Sequence, residues 1–254
     1  MRNFIKNKKS LVYFYASILL LFIWFISSLI VNNEYLIPKI SAVLYDVYVI
    51  LGNISNLFAI FETFSRLFIA SFIALFIAFL VMLVYLRNRN IYFFLKPYLA
   101  MLKTIPLVSI MVILLVWFGD ENSPIIITIL IVLPITIEGI ISGIDQMDKN
   151  LIDELKMLNL NFFKLVKLIY LPLLRPYILM SLLQTIGLGV KVMIMSELIC
   201  QTTNSIGNMM YFAKMTVDTK RLFAWSLIVV FIVMIIEMII TKYKNQFVKE
   251  IVAK

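Results

Sequence analysis

The chain has no histidine, a single cysteine and few charges. Without histidine it lacks the commonest general base, and no nucleophile–base pair suited to covalent catalysis stands out, so no catalytic residue is expected. Cys200 alone closes no internal disulfide. No Gly-x-x-x-x-Gly-Lys-Ser/Thr run is present, which excludes the usual phosphate-cradling loop of a nucleotide hydrolase. Charged residues make up 15% of the 254 positions against 63% hydrophobic, a balance that excludes an ordinary soluble domain. The net charge of +9 sits in short basic groups beside apolar runs. There it orients membrane helices, and nucleic-acid binding is not expected.

What is present is a series of long apolar runs. A hydrocarbon core about 30 Å thick takes about 20 apolar residues per helix, and the runs supply about six such helices. The expectation is an all-α polytopic membrane protein, one transmembrane domain over 1–254, with both termini cytoplasmic. The spans are read at 11–31, 63–86, 97–118, 125–144, 173–198 and 222–240. The first is too long for a signal peptide and lacks a small-residue cleavage site, while Arg2, Lys6, Lys8 and Lys9 hold its start inside. Lys242, Lys244 and Lys249 do the same at the other end, against one contrary outer loop with Lys214, Lys220 and Arg221.

Between spans the residues are informative. Apolar positions recur at helical spacing over 42–51, as in a helix lying along the interface. Ala70, Ala74 and Ala78 form a narrow ridge that lets another helix approach closely. Arg66, near the start of the second span, is expected to snorkel to the outer surface. Pro106 removes a backbone donor within the third span and should bend or break it, as at a gate or a packing kink. Gly119, Asp120, Glu121, Asn122 and Ser123 read as an outer turn, with Pro124 at a first helical position.

Charges inside spans cost about 2.5–3.5 kcal/mol each at the bilayer centre. Lys191, Glu197, Glu138 and Glu237 are such charges. Gln184 and Lys191 are seven apart and share a helical face that Met195 continues, while Glu197 lies on another. Lys191, Glu197, Gln184, Met195, Glu138 and Pro106 are the candidates for a solute pathway. A lysine facing a cavity suits an anionic solute, and a glutamate can neutralise it; mutual pairing that serves folding alone is the alternative. No metal site is expected.

Between the fourth and fifth spans a charged island carries Asp153, Glu154, Lys156, Lys164 and Lys167. Leu151, Leu155 and Leu158 share one face of a short helix. Asn159 to Asn161 breaks the pattern, after which Phe162, Val166 and Ile169 line one side and Lys164 and Lys167 the other. Two short helices meeting at a turn make a rigid knob, and an exposed apolar face of that kind meets a partner.

The knob resembles the EAA loop of ATP-binding cassette importer permeases: Glu-Ala-Ala, three residues, Gly, nine residues, then Ile-x-Leu-Pro. Asp153, Glu154 and Leu155 occupy the first places, Asn159 that of glycine, and Ile169, Leu171 and Pro172 the last. The spacing is intact, although Asp replaces Glu and both alanines are lost. Asn is the residue that best imitates glycine at positive φ. Tyr35-Leu36-Ile37-Pro38, Ser65-Arg66, Thr104-Ile105-Pro106, Trp117-Phe118-Gly119, Ser196-Glu197-Leu198 and Ser205-Ile206-Gly207 follow in the order of one branch. That branch comprises permeases for nitrate, sulfonates, taurine and thiamine-precursor pyrimidines.

The resemblance implies an importer permease working by alternating access. It implies a second permease copy, two cytoplasmic ATPase subunits and an extracytoplasmic solute-binding protein as partners, in a bacterial inner membrane. ATP and Mg would be bound by the ATPase, leaving no cofactor in this chain. Residues 151–172 would form the coupling loop, with Asp153, Glu154, Leu155, Lys156, Met157, Leu158, Asn159, Asn161 and Pro172 docking the ATPase. An ion-coupled carrier explains the buried charges but not the loop spacing. A scaffold subunit of a vitamin-uptake complex would also dock ATPases.

Overall fold

The computed structural model describes residues 2–148 and 161–252. It is helical, with no strand among the described residues: α1 Arg2–Val31, α2 Ile40–Leu51, α3 Ile54–Arg87, α4 Asn90–Thr104 and α5 Leu107–Asp145. After them come α6 Phe162–Leu165, a π turn Val166–Tyr170, α7 Leu171–Cys200, α8 Ile206–Met215 and α9 Thr219–Val252. Four stretches are long and apolar enough to cross a membrane, at Ile54–Arg87, Leu107–Asp145, Phe162–Cys200 and Thr219–Tyr243. The chain divides into two compact units, Met1–Leu57 with Met209–Val229, and Phe58–Asn208 with Val230–Lys254.

In the first unit, the loop after α1 is fixed through its backbone carbonyls. Trp24 Nε1 donates to Pro38 O at 3.1 Å, Ser28 Oγ to Ile37 O at 3.5 Å, and Thr219 Oγ1 to Tyr35 O at 2.6 Å. These carbonyls belong to the Tyr35-Leu36-Ile37-Pro38 run, a turn and bend between α1 and α2 whose carbonyls have no helical partners. Trp24 also packs against Phe223, with ring centroids 5.5 Å apart. α2 forms where the periodicity placed a helix; it buries Val43 and Ile50 and leaves Tyr45 and Tyr48 exposed.

In the second unit α5 and α7 pack together along most of their length. Gly139 and Gly143 form a Gly-x-x-x-Gly step on α5. A methyl at Gly143 would lie 2.6 Å from Tyr177 Cγ, and one at Gly139 would lie 3.0 Å from Ser181. Such backbone proximity permits polar contacts: Thr136 and Thr185 hydroxyls are 2.9 Å apart, and Ser181 Oγ donates to Thr136 O at 3.3 Å. The alanine ridge of α3 is fully covered, with Ala70 and Ala74 at 0% exposure. At one end Ala78, Met82, Tyr85, Ile140, Ile144, Val166, Tyr170 and Leu174 close a common apolar core, where Tyr85 Oη donates to Asp145 Oδ1 at 2.6 Å.

Several boundaries differ from the sequence expectation. The second span starts earlier, at Ile54, because Asn53 caps it: its Oδ1 accepts from Ser55 N at 2.9 Å. The expected third span, 97–118, is instead a broken pair. α4 ends at Thr104, the chain is extended at Ile105 and Pro106, and α5 starts at Leu107. Pro97 thus lies inside α4, and Pro106 breaks the helix outright.

Of the turn expected over 119–123, only Gly119 leaves the helical region, with φ 75° and ψ 177° interrupting α5, and residues 120–123 already belong to the helix that follows. Ser123 Oγ donates to Leu114 O at 2.9 Å. Nine residues of straight helix would span about 13 Å, so the chain doubles back between 107–118 and 120–145. Pro124 lies a turn further into the helix than expected, inside α5. Its missing N–H leaves Asp120 O unsatisfied, and Thr202 Oγ1 donates there instead, at 2.7 Å.

Candidate functional site

α7 presents two contrasting faces. Thr185, Ile186, Gly189, Val190, Val192 and Met193 are buried. Met180, Gln184, Lys191 and Met195 are exposed along the opposite stripe, the face that the seven-residue spacing of Gln184 and Lys191 defines. Lys191 has no acidic partner within 4.0 Å among the described residues. Glu237 of α9 comes close to this stripe, since a methyl at Gly187 would lie 3.5 Å from its Oε1.

Glu138, the second charged candidate, is ion-paired with Lys103 near the end of α4, and both side chains remain partly exposed. Pro106 lies exposed in the break between the two helices that carry this pair.

Glu197 is placed differently. The sequence leaves it either a pathway charge or one paired for folding, and here it has no exposed surface. Its carboxylate accepts from Thr63 Oγ1 at 2.9 Å, Gly207 N at 3.3 Å and Arg66 Nη1 at 3.4 Å. Arg66 does not snorkel outward. It is buried, and its Nη2 also reaches Glu121 Oε2 at 3.0 Å, Glu62 Oε2 at 3.8 Å and Thr203 O at 3.4 Å. The reason is electrostatic: a fully desolvated carboxylate persists only with a cation and donors around it, and Arg66 supplies the guanidinium.

The short motifs of this region acquire roles in the same junction. Ser205 caps α8, its Oγ accepting from Asn208 N at 3.0 Å. Ile206 N donates to Thr63 Oγ1 at 2.9 Å. Gly207 is required for clearance, since a methyl there would sit 2.4 Å from Glu197 Cβ and 2.5 Å from Leu198 N. The left-handed Gln201, with φ 54°, ends α7 and lets the chain return.

Of the expected docking residues, Asp153, Glu154, Leu155, Lys156, Met157, Leu158 and Asn159 lie outside the described residues. Asn161 is exposed, and its carbonyl accepts from Leu165 N at 2.9 Å. Val166 and Ile169 are buried and Phe162 is partly so, while Lys164 and Lys167 point to the open side. Pro172 sits just inside α7, directly after the π turn. The widened turn makes room where the proline ring would otherwise press on the Leu168 carbonyl.

A cavity of about 370 Å³ lies in the first unit, lined by Glu34, Tyr35 and residues 216–220. Val217 in its wall has φ 54°, an outlier for a β-branched residue. Among the described residues no cluster of acidic or cysteine side chains suits a metal ion.

Comparison with known proteins agrees with this architecture. A putative aliphatic sulfonates transport permease protein of Bacillus subtilis (strain 168) is 27% identical over 137 residues, 53% of this chain and 49% of that relative. The matched chain therefore spans about half the length of the relative. Residues 70–245 match the family described as the binding-protein-dependent transport system inner membrane component. That match covers well over half of the chain, and its helices are apolar and long enough to cross a membrane; the protein belongs to this family of inner-membrane transport permease components.

Proposed function

We propose that the chain is the permease subunit of an ATP-driven importer for a small organic anion of the sulfonate class. The observation that carries the solute reading is Lys191. It lies about 14 Å along the helix from Cys200, exposed and without an acidic partner among the described residues. Facing acyl chains, such a charge would cost about 2.5–3.5 kcal/mol; facing a water-filled path, it offers three donors to an anion. A sulfonate stays ionised at every physiological pH and presents three acceptor oxygens. The Gln184 amide, two turns away on the same face, adds a neutral donor, and Met195 supplies apolar contact for an alkyl chain. The printed name of the Bacillus relative, an aliphatic sulfonates permease, points to the same chemistry.

In this reading a second copy of the chain covers the exposed α7 face and completes the path, and both chain ends are cytoplasmic. The loop 151–172 transmits motion: its residues Asp153 to Asn161 seat in an ATPase subunit that binds ATP and Mg. An extracytoplasmic binding protein delivers the solute at the end of the spans marked by Glu197 and Gly119. The test is uptake of radiolabelled taurine or ethanesulfonate by cells carrying the complete transporter. Lys191→Ala should lower uptake at least tenfold while the complex still assembles. Unchanged uptake kinetics in that variant would remove Lys191 from the path, and uptake of neither solute by the native transporter would remove the sulfonate assignment.

A further inference from the structure

The two carboxylate ion pairs within the spans of the second unit contrast. Glu197 has 0% of its side chain exposed and is saturated by donors, as a structural ion pair should be. Lys103 and Glu138 retain 41% and 36% exposure. Among the described residues Glu138 is the acceptor of the Lys103 ammonium, which leaves donors of this three-donor group directed at open space. By helical rise Glu138 lies about 10 Å from the Asp145 end of α5 and about 28 Å from the Gly119 turn. Lys191 instead lies toward the Cys200 end of its own helix. Charges with open surface at such depth face protein or water, since acyl chains solvate them poorly.

We infer that Lys103 is a second anion station, nearer the Asp145 end than Lys191, and that Glu138 holds it as an internal stand-in for the solute's acidic group. This rests on the reading of the Lys191 face as the solute path. An arriving sulfonate exchanges with the Glu138 carboxylate for the ammonium, with no bond made or broken beyond hydrogen bonds. A neutral solute cannot make that exchange, so Glu138 also contributes to selectivity. The break at Ile105 and Pro106 lets the end of α4 shift with Lys103 while the helical ladder of α5 stays intact.

Equilibrium binding of radiolabelled ethanesulfonate to the full chain in detergent micelles tests this. The native chain should bind one ligand tightly, through Lys191, with Lys103 filled only as far as the ligand outcompetes Glu138, and Lys191→Ala should lose that tight site. Glu138→Gln, by releasing Lys103, should bind two. Adding Lys103→Met or Lys191→Ala to Glu138→Gln should return the count to one. Glu138→Asp keeps the charge but shortens its reach, and should show a weaker second site; it carries the comparison if Glu138→Gln is not monodisperse on size exclusion. A second site absent from both Glu138 variants, with Lys191→Ala still abolishing the first, overturns the inference and leaves the path reading standing. Native-like binding by Lys191→Ala removes the path reading and the inference with it.

Discussion

Thr63 Oγ1 donates to Glu197 Oε2 at 2.9 Å and accepts from Ile206 N at the same distance. One hydroxyl thereby joins α3 to the last turn of α7 and the first residue of α8, 134 and 143 residues away in sequence. Arg66 sits one turn further along α3 and supplies the charge that this buried carboxylate requires.

Arg66→Met leaves the Glu197 carboxyl in an apolar junction with no cation, and should cost about 3–5 kcal/mol. Glu197→Gln should cost less, about 1–3 kcal/mol, because Arg66 keeps Glu121 and Glu62 and the amide oxygen still accepts from Thr63. Thermal midpoints in detergent should rank native above Glu197→Gln above Arg66→Met. The reverse order would mean that Arg66 is not the compensating charge.

Two glycines in the same unit should fail for different reasons. Gly207→Ala drives a methyl into the backbone of α7, 2.5 Å from Leu198 N and 2.7 Å from Ile194 O, where overpacking costs about 1–3 kcal/mol or more. Gly119→Ala meets nothing within 4 Å and loses about 1–3 kcal/mol through conformation alone. At φ 75° and ψ 177° only glycine is at ease, so Gly119→Asn should lose as much as Gly119→Ala, whereas Gly207→Asn should lose more than Gly207→Ala because its larger side chain meets the same backbone. Chemical denaturation of the four variants checks the contrast.

Val217→Asn should stabilise the chain by about 1 kcal/mol. Valine at φ 54° is strained, whereas asparagine visits this region readily. The side chain is already 59% exposed, so little packing is lost. An unchanged or lower thermal midpoint would show that Val217 is held by contacts outweighing its strain.

On the proposed docking role, Glu154→Lys or Leu155→Asp should leave the permease folded but reduce solute transported per ATP hydrolysed. Reconstituted transporter with both activities measured together decides it. Unaltered stoichiometry and assembly would count against the docking role.

The apolar periodicity made α1 and α2 legible, and proline and glycine chemistry located the breaks at Pro106 and Gly119. The alanine ridge of α3 was legible too, since small residues four apart have one common use in a membrane. The Arg66–Glu197 pairing was not, because helix-face geometry relates residues within one helix and says nothing about a partner 131 positions away. One signal was available: a lone arginine and a lone glutamate, each near the same end of its span, are too costly to bury separately. The early start of α3 was also readable, since Asn53 followed by Ile54-Ser55 is a serviceable cap.

The Gly-x-x-x-Gly step deserves a mechanical reading. With the Gly139 and Gly143 backbone against Tyr177 and Ser181, residues 120–145 and α7 have no slack to slide or roll past one another. They behave as one girder. Residues 107–118 ride on that girder, with Met111 and Leu114 packed against Ile127, Val192 and Cys200, so the extended Ile105–Pro106 joint is where α4 is free to bend relative to it.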